Sequence, residues 1–239
     1  MEIRWLGHSA FEIITDGGLN ILIDPFISNN PACQIPVEEF NPDIILVTHG
    51  HSDHLGDAME LSNKNNVPVA AIHEISLFLS KQGINNIGVN IGGSFIYRGV
   101  KFTMLDAKHS SVLDIVEEPL PAGDAASFLI TLEDGTKLFH AGDTGLFGDM
   151  KTIIGEIYKP DIALLPIGDK FTMGPFEAAL ATRWIDSKVA IPMHYNTFPP
   201  IEQDPSIYAN FVSQLNPNID VLILNPGEYF EYNPENYQD

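Results

Sequence analysis

The stretch Thr48-His49-Gly50-His51-Ser52-Asp53-His54 puts three imidazoles and a carboxylate into six consecutive positions, directly after the apolar run Asp43-Ile44-Ile45-Leu46-Val47. Imidazole nitrogen and carboxylate oxygen both ligate divalent transition metals, and four such groups this close together repel or strand one another without an ion to share. In a loop that leaves a strand, His49 and His51 turn toward one ion, while Asp53 and His54 open the following helix and face a second beside it. The spacing therefore predicts a two-metal centre.

Two ions need more ligands than these four, and further candidates stand where other β-prone runs end. Lys101-Phe102-Thr103-Met104-Leu105 leads to His109, Lys137-Leu138-Phe139-His140-Ala141-Gly142 to Asp143, and Lys188-Val189-Ala190-Ile191-Pro192-Met193 to His194. A carboxylate such as Asp143 can bridge two cations, which an imidazole cannot.

In this order the residues resemble the metallo-β-lactamase superfamily, with its His-x-His-x-Asp-His signature. The resemblance begins at Asp24 in Leu22-Ile23-Asp24-Pro25, passes through the 49–54 cluster, His109 and Asp143 in His140-Ala141-Gly142-Asp143-Thr144, and closes at His194. The phrases Pro166-Ile167-Gly168-Asp169-Lys170-Phe171-Thr172-Met173-Gly174-Pro175 and Pro192-Met193-His194-Tyr195-Asn196-Thr197-Phe198 are similar to a branch of compact prokaryotic metal-dependent hydrolases. That branch is mostly of unassigned substrate, with L-ascorbate-6-phosphate lactonase a more distant relative.

The resemblance implies an α+β fold, a four-layer αββα sandwich formed by one domain over residues 1–239. It implies that His49, His51 and His109 hold a first metal and that Asp53, His54 and His194 hold a second, with Asp143 shared. Asp53 and Asp143 become the catalytic carboxylates, Asp53 both ligating and orienting the nucleophile. The implied activity is attack by a metal-activated hydroxide on a small ester, lactone or phosphoester, without a serine or cysteine nucleophile. A nuclease or phosphodiesterase acting on nucleic acid is the alternative. Flavodiiron oxygen reductases share the scaffold, but their pattern replaces the second histidine by a carboxylate, and His51 stands here. Two divalent ions are expected, zinc first, with manganese or iron also suited to a donor set without thiolate.

Composition narrows the setting. Only 12 Lys and Arg stand against 32 Asp and Glu, a formal charge of -20, which disfavours long-range attraction to nucleic acid or anionic lipid. A small and anionic metabolite is the expected partner, with no nucleic acid and no membrane; a homo-oligomer is left open. The single cysteine, Cys33, excludes an internal disulfide. The start Met1-Glu2-Ile3-Arg4-Trp5-Leu6 goes straight into strand-like sequence without an export signal, and no apolar stretch approaches the roughly 20 residues that span a bilayer. A cytoplasmic enzyme is expected.

Strands are expected over 2–6, 10–15 and 19–24, broken by Gly17-Gly18, followed by a helix from Asp57 to about Asn65, a strand over 67–72, a helix over 74–81 and strands over 87–91, 94–98 and 100–105. From Ser127 onward the outline repeats. Around the ligands, Asp24 is expected to pin the ligand loop and His140 to hydrogen-bond behind the metals. His8 is expected behind the ligands or against substrate, and His73 has no metal role. Tyr195, Asn196 and Thr197 are candidates to hold substrate or leaving group, with aromatic packing the alternative for Tyr195 and Phe198. Gly174, ahead of Pro175 at a helix start, can offer backbone N–H groups to an anion, or simply cap the helix.

Overall fold

The computed structural model describes residues 1–237. Strands β1 (Glu2–Trp5), β2 (Phe11–Ile14) and β3 (Asn20–Ile23) form an antiparallel meander, the last two joined across the Gly17-Gly18 turn. β4 (Ile44–Leu46), β5 (Val69–Ile72) and β6 (Asn86–Val89) then add in parallel. The connections carry α1 (Ser52–Leu55), α2 (Ala58–Asn65) and α3 (His73–Lys81).

The second sheet repeats this plan. The hairpin β7 (Ser94–Tyr97) and β8 (Val100–Asp106) precedes a two-residue ladder of β9 (Val112–Leu113) with β10 (Leu120–Pro121) that lies outside both large sheets. β11 (Ala126–Thr131) and β12 (Lys137–His140) continue the antiparallel half, and β13 (Ile162–Pro166), β14 (Val189–Met193) and β15 (Asp220–Val221) the parallel half. A π helix over Met150–Tyr158, α4 (Pro175–Ile185) and α5 (Pro205–Leu215) make the crossovers. Finally β16 (Tyr229–Glu231) returns to pair antiparallel with β1.

Two seven-stranded sheets result, in the orders β16-β1-β2-β3-β4-β5-β6 and β15-β14-β13-β12-β11-β8-β7. Every residue of β4, β5, β13 and β14 is buried. These strands read as unbroken apolar runs because each is covered on both faces, by the opposite sheet and by helices, giving the αββα sandwich. Edge strand β7 instead alternates toward solvent, and edge strand β6 has no fully buried residue. Among the described residues, no helix is long and apolar enough to cross a membrane.

This topology positions the site. β1 and β3 both run antiparallel to β2, and β4 runs parallel to β3, so β1, β3 and β4 end on the same side. By the same reasoning β8, β12 and β14 end together in the second sheet. His8, Asp24 and His49 follow the first three strands, and His109, Asp143 and His194 the second three.

One expected element differs. Asp53 and His54 do open a helix, but α1 is a single turn that stops at Gly56, and α2 starts afresh at Ala58. Gly56 has φ +43, and a Cβ there would fall 2.3 Å from the Pro25 carbonyl oxygen. The break brings Asp57 against the loop after β3, where its carboxylate accepts the N–H groups of Ile27 and Ser28 at 2.9 and 2.8 Å. Gly56→Ala is expected to lower unfolding stability by about 1–3 kcal/mol. Gly18→Ala, also at positive φ but with nothing within 4 Å, is expected to cost less. Denaturant unfolding of the chelator-treated proteins checks the ranking.

Candidate metal centre

Asp24 anchors the centre. It is fully buried, with φ 45, and Oδ1 accepts the Thr48 N–H at 2.8 Å. Its Oδ2 accepts the Thr48 hydroxyl at 2.7 Å and His54 Nδ1–H at 2.8 Å. The His54 proton is thereby committed to Nδ1, and Nε2 faces Asp143 Oδ2 at 3.3 Å. Thr48 passes the same order to His49: its hydroxyl proton goes to Asp24, so its oxygen accepts His49 Nδ1–H at 3.0 Å. The other His49 nitrogen, Nε2, lies within hydrogen-bond distance of His51 Nδ1, at 2.9 Å. Gly50, between them, leaves room for the neighbouring chain, since a Cβ there would lie 2.8 Å from the Val112 carbonyl oxygen.

His109 completes this first group, its ligand atom lying with those of His49 and His51 within 4.8 Å of one another. Asp143 lies between this group and a second, its Oδ2 3.6 Å from His109 Nε2 and 2.9 Å from His194 Nε2. The second group holds His54, His194 and Asp53, as the spacing and the resemblance imply, and also His8. Neither His73 nor Cys33 belongs to a group that could hold a metal, among the described residues.

His140 supports the Asp143 loop from behind. Its Nε2–H donates to the Ser9 carbonyl at 2.9 Å and its Nδ1 accepts the Gly142 N–H at 3.1 Å, so the buried ring is a neutral imidazole with both nitrogens used.

The electrostatics fit a cation site. Burial holds His49 well below the usual histidine range and also lowers His109 and His140. Burial, aided by His194, brings His8 down to about 4. His54 moves the other way: burial opposes its charge, but Asp143 and Asp24 raise it well above the ordinary value. Asp143 stays ionised despite burial, because His194 and His54 hold its carboxyl well below the carboxylate range. Burial likewise opposes the charge of Asp53, and its contacts with His8 and His54 depress it. Buried His8 Nε2, His54 Nε2 and Asp143 Oδ1 have no hydrogen-bond partner. Imidazole nitrogens and carboxylate oxygens that converge in a buried space are the donor set a divalent cation satisfies, displacing the protons they otherwise share.

The centre floors a cleft of about 740 Å³ lined by Asn29, Ser52, Ser110 and Asp114 and by Phe26, Phe171 and Phe198. The four residues proposed from sequence to touch substrate do not line it. Tyr195 stacks on Trp5 with ring centroids 5.2 Å apart, and burial raises its phenol to about 12; packing wins there. Asn196 caps its own loop, its Oδ1 accepting the Gln203 N–H at 2.8 Å. Thr197 holds His8 Nδ1 at 3.1 Å. A Cβ on Gly174 would lie 3.0 Å from Glu177 Oε2 and 3.4 Å from Asp169 Oδ1, so carboxylates already occupy the place expected for an anion. The direction of this segment turns on positive φ at His194 and Asn196, 54 and 57, which no residue type announces. Phe26 and Phe171, which do line the cleft, carry no signal in sequence beyond being lone aromatics in loops.

A sequence model described as a beta-lactamase superfamily domain matches residues 2–194. A UPF0173 metal-dependent hydrolase of Methanobrevibacter smithii is 99% identical over 100% of both chains. One from Methanosphaera stadtmanae is 56% identical, covering 95% of this chain and 98% of its own. Among solved structures, that of a metallo hydrolase from the hyperthermophilic archaeon Ignicoccus hospitalis superposes with a TM-score of 0.87 at 38% identity, over 97% of this chain and 99% of the other.

Two outcomes follow from the hydrogen bonds behind the ligands. Asp24→Asn keeps the shape but turns an amide NH₂ toward two donors, the Thr48 hydroxyl and His54 Nδ1–H; metal affinity is expected to fall about 10–100-fold, measured by calorimetric titration. Asp143→Asn is expected to lose more metal and more turnover than His140→Ala, because only the former removes a charge shared by both groups. Matched elemental analysis and activity assays decide it, and equal or reversed losses would refute the bridging role.

Proposed function

The chain belongs to the UPF0173 metal-dependent hydrolases of the β-lactamase superfamily, and on that premise we propose a dinuclear enzyme that cleaves a small ester, lactone or phosphoester bearing an apolar group. The observation that carries this is the pairing of His49, His51 and His109 with Asp53, His54 and His194 around one carboxylate, Asp143, at the floor of a single cleft. Divalent cations held by these groups would supply a water acidic enough to ionise near neutral pH, at a pKa of about 7, and a Lewis acid for the bond to be broken.

The chain's own residues supply the rest. Asp143 offsets the mutual repulsion of two cations. Asp53, with its side chain 33% exposed, reaches into the cleft and, kept ionised by its imidazole neighbours, accepts a hydrogen bond from the attacking water and aims it at the substrate. Ser110 and Asn29 in the lining supply hydrogen-bond donors for the leaving oxygen, while the Ser52 hydroxyl donates to Asp114 at 3.3 Å. Phe26, Phe171 and Phe198 form an apolar wall that receives a hydrocarbon portion of the substrate and keeps bulk water from the reacting bond.

The aromatic wall favours a small molecule over a polynucleotide. Phosphate tracks are built from several Lys or Arg contacts, whereas no Lys or Arg lines the cleft and the net charge is -20. Charge on the substrate would be met at the metal ions, not by side chains of the wall.

Chelator-treated protein is expected to be inactive and to recover with zinc, manganese or ferrous iron. A panel of lactones, carboxyl esters, thioesters and phosphodiesters, run beside single-stranded RNA and DNA, tests the substrate class. Turnover is expected to rise with the size of the apolar group, and Phe198→Ala to raise KM about 10-fold, the equivalent of roughly 1.4 kcal/mol. Efficient cleavage of RNA or DNA, abolished by Asp53→Ala and without small-ester turnover, would move the chain to the nucleases.

A further inference from the structure

We infer that His8 is itself a metal ligand, making the second group a four-donor set of His8, Asp53, His54 and His194, and that Thr197 is the residue that positions it. This rests on the dinuclear centre proposed above and deepens it.

His8 is fully buried in the turn after β1 and adopts φ 56, a left-handed conformation that is uncommon for a residue with a side chain. Its backbone is held from two directions, since the His8 carbonyl accepts Trp5 Nε1–H at 2.9 Å and the His194 N–H at 2.9 Å. The second of these bonds ties the end of β14, in one sheet, to the turn after β1, in the other. His194 has φ 54, and the two rings sit with centroids 4.1 Å apart. Strained backbone at both residues brings two imidazoles together; strain of that kind persists where a site needs the geometry.

Thr197 suits a ligating ring. Its hydroxyl oxygen lies 3.1 Å from His8 Nδ1, where it accepts the Nδ1–H of an imidazole that binds a cation through Nε2. This atom is buried, makes no hydrogen bond, and lies 3.2 Å from Asp53 Oδ2. The two atoms are close without the alignment of a hydrogen bond, a spacing at which both can bind one cation. The edges of Phe26 and Phe198, each with ring centroids 5.6 Å from the His8 ring, exclude solvent as an alternative partner. The ligand atoms of His8, Asp53, His54 and His194 all lie within 4.8 Å of one another, a carboxylate and three imidazoles that suit zinc and also accept manganese or iron. With Asp143 shared by both groups, the second group has one protein donor more than the first, so the second site is the tighter of the two and fills first.

The test counts metal, not turnover. Wild-type protein is depleted, titrated with zinc by calorimetry and analysed for bound metal; His8→Ala, His8→Gln and Thr197→Val are treated in parallel, with circular dichroism confirming the fold of each metal-free form. Two equivalents are expected for the wild type. In both His8 variants the tighter equivalent is expected to weaken at least 100-fold while the other is kept. Thr197→Val, which leaves the ring but removes its orienting acceptor, is expected to weaken the same equivalent about 10-fold. Two equivalents at wild-type affinity in the His8 variants, with only KM raised, would make His8 a substrate contact and overturn the assignment. Should His8→Ala and His8→Gln fail to fold, unchanged zinc affinity in Thr197→Val overturns it. Fewer than two equivalents in the wild type would instead remove the dinuclear centre, and this assignment with it.

Discussion

Asp24 buries a negative charge at the end of β3, and the arrangement of the metal centre depends on how that charge is satisfied. An unpaired carboxylate in such a place would cost several kcal/mol, so the groups that solvate it have little freedom to be elsewhere. They are the Thr48 backbone, the Thr48 hydroxyl and His54. The first fixes where the ligand loop leaves β4. The other two fix the proton arrangement of His54 directly and of His49 through the threonine. One carboxylate thus turns the Nε2 atoms of two imidazoles inward before any cation arrives.

The second sheet has no matching carboxylate and relies on backbone. His140 ties the Asp143 loop to Ser9, and the His194 N–H ties the end of β14 to His8. Both bonds cross from one sheet to the other, so the site also serves as a seam. The cost is a set of buried polar atoms, among them His8 Nε2, His54 Nε2 and Asp143 Oδ1, that make no hydrogen bond. Metal affinity and folding stability are linked in such a place, since binding relieves what packing imposed.

Much of this was legible in the chain. The 49–54 cluster, His109, Asp143 and His194 stand out because each follows a β-prone run, and a sheet places the ends of like-directed strands together whatever the intervening loops do. The strands of the meander and helix α2 were equally plain, being short runs bounded by Gly17-Gly18 and Asn65-Asn66. What sequence hid was direction. Tyr195, Asn196 and Thr197 leave a ligand-bearing strand and so look bound for the cleft, yet the left-handed backbone at His194 and Asn196 sends them to Trp5, to their own loop and to His8. Gly174 reads as an anion site until the carboxylates of Glu177 and Asp169 are seen beside it, turned there by a loop whose path the sequence does not announce. Phe26 and Phe171 matter only through where their loops lie, which periodicity does not report.

The return of β16 to β1 has a consequence for how the molecule is made. β1 delivers His8, yet one of its two partners is synthesised more than two hundred residues later, and the helices and strands of the whole second sheet come between. While the chain emerges from the ribosome, the outer hydrogen-bonding edge of β1 stays open, and an open edge is a template for pairing with other chains. Arg4 on this strand moderates the hazard: it pairs with Glu12 at 3.4 Å on the neighbouring strand and stands as a charge on the edge until Tyr229 comes to lie against it, 4.5 Å from guanidinium carbon to ring centroid. The same arginine that guards the nascent sheet becomes the clasp that closes it.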